Sequence, residues 1–170
     1  MQFPLGLMII LCVVMMIVMV IQPLSEMAIL YYYGHRVQGD ALAAGWAAFS
    51  DYDLEAFATR EQINDREPRH IYLDRVLATQ TVEDYLKENM KLDDGYYPLS
   101  GSYIRRNFPM GVIITIINPD QLPYDMGGGN MLNETAIYLE LNVPIRKEDP
   151  PYLMKTLYVT ADSFLISDQH

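Results

Sequence analysis

Cysteine is almost missing from this chain: one residue, Cys12, stands among 170. No disulfide can close within a single chain on that count, and no metal site can be built from thiolates. Cys12 lies in an apolar run, where it acts as a small hydrophobe. Basic residues are scarce too. Twelve Lys and Arg face 22 Asp and Glu, a net charge of -10, with no basic stripe, and this excludes nucleic acid as the expected partner. The three histidines, His35, His70 and His170, are scattered along the sequence and do not suggest a metal or catalytic cluster. No nucleophile–base pair stands out, so the sequence argues against an enzyme and asks for no cofactor.

The most consequential absence is of charge. Phe3 to Ile21 carries none, and the first charged side chain is Glu26. As a helix this run is about 28 Å long, close to the roughly 30 Å of bilayer hydrocarbon. It is apolar on every side, so a soluble fold would have to wrap it completely. The remaining sequence holds too few strands to do so. The run therefore belongs in a bilayer or in the core of an assembly of like helices, and Phe3, Leu7, Ile10, Val14, Ile17 and Ile21 are its candidate contacts. A cleaved signal fits less well, because no Lys or Arg precedes the run and no small-x-small site follows before Glu26. Orientation is weakly encoded, the nearest basic residue being Arg36; an acidic outer domain favours the N-terminus inside.

Pro23 marks either a kink or the start of a second helix. From Leu24 to about Arg60 the sequence reads as a helical stalk. Tyr31, Leu42, Trp46 and Phe49 lie at helical spacing among small residues such as Ala44 and Gly45, a pattern suited to packing against other helices. Tyr31-Tyr32-Tyr33 falls where an interfacial aromatic belt would lie, or between subunits in a filament. Gly34 and Gly39 predict a bend. A charged connector over 60–69 leads to an amphipathic helix over 71–90. Its expected apolar face is Leu73, Val76 and Leu77, then Val82, Tyr85, Leu86 and Met90, and Gly95 is its expected stop.

Three strands follow. Val112 to Ile117 is a nearly continuous β-branched run and should be buried on both faces. Thr135 to Val143 alternates, with Ile137, Leu139, Leu141 and Val143 on one side. Lys155 to Ile166 alternates again, with a bulge or break at Asp162-Ser163. The loop over 118–133, with two prolines and Gly127-Gly128-Gly129, is expected to be long and flexible. The layout is α+β: an apolar helix over 1–23, a helical stalk over 24–60, and over 61–170 a small domain of one helix and an antiparallel sheet of about three strands.

Short motifs in the C-terminal half are weak. Gly127-Gly128-Gly129 is followed by Asn130 and Met131 and so is no phosphate loop. Asp120 and Asp125 lack the regular spacing of a calcium loop. Asn133-Glu134-Thr135 matches a glycosylation acceptor, a pattern that arises often by chance. Arg105-Arg106 is expected to pair with surface carboxylates.

The apolar helix, the Ala-rich stretch Asp40 to Ala48 (DALAAGWAA), the helix ending in Asp84-Tyr85-Leu86-Lys87-Glu88-Asn89-Met90-Lys91-Leu92-Asp93 and the small terminal sheet form one layout. It resembles the TadE-like minor-pilin family of tight-adherence pilus systems as found in Gram-positive bacteria. Counted from Met1, position five is Leu5, where type IV pilins usually carry Glu. The resemblance implies an extracytoplasmic filament or pilus subunit, partnered by copies of itself or other pilin-like subunits and by membrane lipid before assembly. The rival reading is a single-pass accessory or scaffold subunit of a membrane complex.

Overall fold

The computed structural model describes residues 5–51, 53, 55, 71–104, 107–127, 129–144, 152–161 and 164–166. The chain divides into two compact units, Met1–His35 and Arg36–His170. The architecture is the expected α+β one: a long N-terminal apolar helix, a second helix and an antiparallel sheet.

Helix α1 runs from Leu5 to Ala48 as one element, with Pro23 inside it. Neither the proline nor Gly34 or Gly39 ends it, so the expected second helix starting after Pro23 does not exist as a separate element. Pro23 offers no N–H to the carbonyl four residues before it, and in an apolar run of this length the remaining helical bonds carry the element through. Ser25 Oγ donates to the Gln22 carbonyl at 2.7 Å beside the site. Helix α1 ends at Ala48, where Phe49, Ser50 and Asp51 donate back to the carbonyls of Trp46, Ala47 and Ala48 in a closing turn; of the remaining expected stalk, Glu55 is helical, and residues 52, 54 and 56–60 lie outside the described residues. The connector over 60–69 lies outside the described residues.

Helix α2 spans Arg75–Met90. Asp74 caps its start: Oδ1 accepts the N–H groups of Val76 at 2.9 Å and Leu77 at 3.1 Å. Its end is set by Lys91, which adopts the left-handed conformation at φ 52° while Leu92 N–H returns to the Lys87 carbonyl at 2.8 Å. Gly95 is therefore not the stop. The Asp93 carboxylate organises the turn beyond it, accepting the N–H groups of Gly95 and Tyr97. The buried face also differs from expectation. Ala78, Val82, Leu86 and Met90 form a strict four-residue stripe, whereas Val76, Leu77 and Tyr85 are exposed. Leu73, which precedes the cap, is buried in the same core as that stripe. The Asn118 amide pairs with its backbone at 3.0 Å in both directions.

Among the described residues six strands follow α2. Strand β1 is Gly111–Ile117, β4 is Ala136–Pro144, β5 is Tyr152–Thr160 and β6 is Phe164–Ile166. These four form the main sheet in the order β1–β4–β5–β6, all antiparallel. The connection that sequence marked only as a flexible loop holds a 3₁₀ turn at Pro119–Gln121. A short hairpin of two further strands, Tyr124–Asp125 (β2) and Met131–Leu132 (β3), comes after it. β1 is an edge strand and is not buried on both faces: Ile113 is 50% exposed. Its β-branched run reflects the inward set Val112, Ile114 and Ile116 and, on the other face, Ile117 of the second cluster. Of the bulge and the break expected at 162–163, which lie outside the described residues, the separate strands β5 and β6 agree with the break. β6 pairs antiparallel with β5, with Leu157 opposite Ile166 and Val159 opposite Phe164.

One sheet face and two helices make the principal core. Ile137, Leu139, Leu141 and Val143 of β4 and Leu157 and Val159 of β5 meet Val37, Ala41, Ala44 and Ala48 of α1 and the α2 stripe. The alternation read for β4 is thus realised. The opposite face carries a smaller cluster in which Ile117, Leu132, Ala136 and Tyr158 are buried, with Tyr124 and Tyr138 packed against them.

Candidate membrane and assembly surface

The unit Met1–His35 is helical from Leu5 onward, and its apolar side chains from Met8 to Ile21 are exposed. Ile10, Val14, Ile17 and Ile21 are all exposed, as are Met8, Leu11, Met15, Met19 and Val20 between them. Cys12 is exposed in the same surface. Phe3 lies outside the described residues, as does the side chain of Leu7. The exposure follows directly from composition: with apolar residues at every angular position, no single packed face can hide them. By length and composition this is a helix able to cross a membrane, which fits a single-pass anchor or a signal sequence. An exposed apolar surface of this extent on one chain calls for lipid or protein against it.

The lower limit of the apolar surface is marked by polar residues and rings. Gln22, Ser25 and Glu26 are exposed, and Glu26 is the first formal charge. Tyr31 and Tyr32 are exposed and Tyr33 is half-buried. The Tyr31 ring meets His35 edge-on at 4.3 Å, and Tyr32 meets Tyr33 at 5.9 Å. Phenols with an apolar body and a polar tip suit a boundary between apolar and aqueous surroundings.

In the unit Arg36–His170, the stalk residues take two different places. Ala44, Gly45 and Phe49 are buried inside the chain, Leu42 is half-buried against the same core, and Trp46 is exposed. Of the small side chains that suggested packing on neighbouring helices, Ala41, Ala44, Gly45 and Ala48 pack within this chain, while Ala43 is exposed. A Cβ at Gly45 would stand 2.8 Å from Val159 Cγ2, so the helix backbone lies directly on β5 there. The small-residue pattern does signal close approach, but by itself it does not distinguish a sheet of the same chain from another helix.

Just past the unit boundary, the Arg36 guanidinium lies over the Tyr103 ring at 4.2 Å, and the Tyr103 hydroxyl donates to Asp40 Oδ2 at 2.8 Å. Nothing in the sequence singles this group out. Tyr103 is 63 positions from Asp40, and only the fold brings them together.

The loop candidates are engaged in structure-building contacts. Asp120 pairs with Arg75 at 3.2 Å, and Asp125 Oδ1 accepts Gly127 N–H at 2.8 Å. Among the described residues no group of three or more His, Cys, Asp or Glu is placed to hold a metal. His35 is exposed against Tyr31, while His70, His170, Arg105 and Arg106 fall outside the described residues. Three tyrosines have phenols held in the neutral form. Burial, the hydrogen bond to Glu140 and that carboxylate's charge push Tyr138 up to about 12. Burial and the charge and hydrogen bond of Glu83 do the same for Tyr96, also to about 12. Tyr158, buried beside Tyr138 with ring centroids 5.0 Å apart, is raised as well.

Comparison with known proteins matches the chain to no family model, no curated protein and no solved structure.

Proposed function

We propose that this chain is a pilin-like structural subunit, with no catalytic role, that polymerises into an extracellular filament or pilus through its N-terminal apolar helix. One observation carries the reading: the helix surface from Met8 to Ile21 is apolar all round and uncovered, on an element whose later residues build the core of a folded α+β unit. Each large apolar side chain buried between copies contributes about 1.5–3 kcal/mol, so a polymer core of such helices has ample driving force. The contact is heterologous, one subunit's surface against a different surface of the next, which produces an open fibre. Before assembly the same surface is covered by lipid, with the acidic C-terminal unit outside the cell. The tight-adherence resemblance points the same way.

A second reading is a single-pass accessory subunit of a membrane complex. The exposed Tyr31 and Tyr32 below the apolar run favour it, because they stand where an interfacial belt would lie.

Negative-stain electron microscopy of the sheared, detergent-free surface fraction, with mass spectrometry of the pellet, separates the two. Fibres containing this chain with residues 3–21 intact are the expected result. Recovery of the chain in detergent extracts of membranes alone would remove the filament reading and leave the accessory one.

A further inference from the structure

Laid on a helix at about 100° per residue, the apolar run of α1 is not uniform. Between Met8 and Ile21 all five sulfur-bearing residues, Met8, Cys12, Met15, Met16 and Met19, fall within an arc of about 100°. Every β-branched residue of that stretch falls outside the arc, centred on the opposite side along Ile10, Val14, Ile17 and Ile21. Met8, Cys12, Met15 and Met19 are spaced four, three and four apart, and so are Ile10, Val14, Ile17 and Ile21. Each side therefore carries a seam at coiled-coil spacing, and both seams are exposed. Hydropathy sees one surface here, but side-chain shape sees two. Val and Ile are held to one χ1 rotamer in a helix and make a stiff ridge. Met is unbranched and polarisable, and it fills irregular gaps. Gln22 and Glu26 continue the sulfur side below the run, and both are exposed. Ser25, on the branched side, turns its hydroxyl back to the Gln22 carbonyl. Polar side chains at a span face protein rather than lipid, so the sulfur side is the one that needs a protein neighbour.

Resting on the polymer reading above, we propose that the sulfur seam of one copy packs against the branched seam of the next. The stiff ridge supplies the shape and the methionines fill in around it. Two unlike seams on opposite sides of one helix make every contact heterologous, so each copy that joins leaves a fresh seam for another. Area also selects an array over a pair. The seam from Met8 to Ile21 is about 21 Å long and, at a helix width of about 10 Å, covers a footprint of roughly 200 Å². A stable two-body interface takes about 800 Å² from each partner. One seam alone does not hold a dimer, whereas a helix with a neighbour on each side is held twice.

The test uses the full chain in cells that assemble it and reads the sheared fibres. Cys12 is the chain's one cysteine, so it reports on the sulfur seam without any substitution. N-ethylmaleimide should label Cys12 in intact fibres at least about tenfold more slowly than in chain dissolved in detergent, because a thiol packed against protein is out of reach. Oxidation with copper phenanthroline should leave parent fibres monomeric on a non-reducing gel, since Cys12 faces its neighbour's branched seam and not a second Cys12. Ile10→Cys, Val14→Cys, Ile17→Cys and Ile21→Cys are then added one at a time. At least one should give a ladder of multimers, because a disulfide forms only between closely apposed seams, and the same variant with Cys12→Ser should not. The labelling measurement decides the matter even where a variant fails to assemble. Protection of Cys12 together with the ladder supports the paired seams. Equal labelling in fibres and detergent, dimers through Cys12 alone, or fibres without a ladder at any of the four positions overturn the pairing and leave the polymer reading standing. A parent chain that forms no fibres overturns both.

Discussion

At the scale of single residues, Gly45 reports most directly on how the helix meets the sheet. A side chain there would intrude on Val159, whose Cβ and two methyl carbons all stand within 3.0 Å of the place an alanine methyl would take. Gly45→Ala should therefore destabilise the folded chain by about 1–3 kcal/mol, since overpacking a tight core forces neighbours aside. Denaturant unfolding in detergent checks this, and Val159→Ala in the same chain should recover part of the loss. A neutral Gly45→Ala would mean the helix does not lie on β5 as described. Leu86 and Leu77 offer a second comparison on one helix. Leu86 is fully buried and Leu77 is half exposed. Leu86→Ala should cost about 2–5 kcal/mol and Leu77→Ala well under half of that, measured the same way.

At the scale of elements, the sheet and the loop after α2 carry a pH signature. Tyr138 and Tyr96 hold their protons up to about 12 when folded, against the usual 10.0. The neutral phenol is the form the fold favours, so the stabilisation is complete below pH 10. It declines as pH rises, because the unfolded chain ionises first, and it is gone once pH passes about 12. Thermal stability should fall across that window, while near-ultraviolet phenolate absorbance of the native chain lags behind that of the unfolded one. Tyr138→Phe should make the decline shallower.

The elements also show what the sequence could and could not disclose. The alternation through Ile137, Leu139, Leu141 and Val143 is a local property of one strand, and it was legible. So was the apolar run, because composition alone determines that it has no polar side. Three features were not fully legible in the local pattern. The open flank of β1 follows from its place at the sheet edge, and periodicity does not encode that place. The reversal between β5 and β6 was only half legible, because the polar pair Asp162-Ser163 fits a bulge as well as a break. On α2, Val76 and Leu77 look like core but lie on the exposed side, and the buried stripe runs through Ala78, Val82, Leu86 and Met90. The Arg36–Tyr103–Asp40 group was out of reach, since its parts meet only through the tertiary fold.

At the scale of the whole molecule, the contrast lies between two uses of one helix. From Val37 to Ala48 its small and β-branched residues are spent on the chain's own core. Earlier, from Met8 to Ile21, its apolar surface stays exposed. In the proposed filament, other copies take up that surface. A photo-reactive residue in place of Ile17, irradiated in the sheared surface fraction, asks the question at the centre of the run. The expected result is a ladder of multimers whose crosslinked peptides come from residues 5–35 of this same chain. Adducts to lipid, or to a different protein only, would contradict a polymer built on this helix.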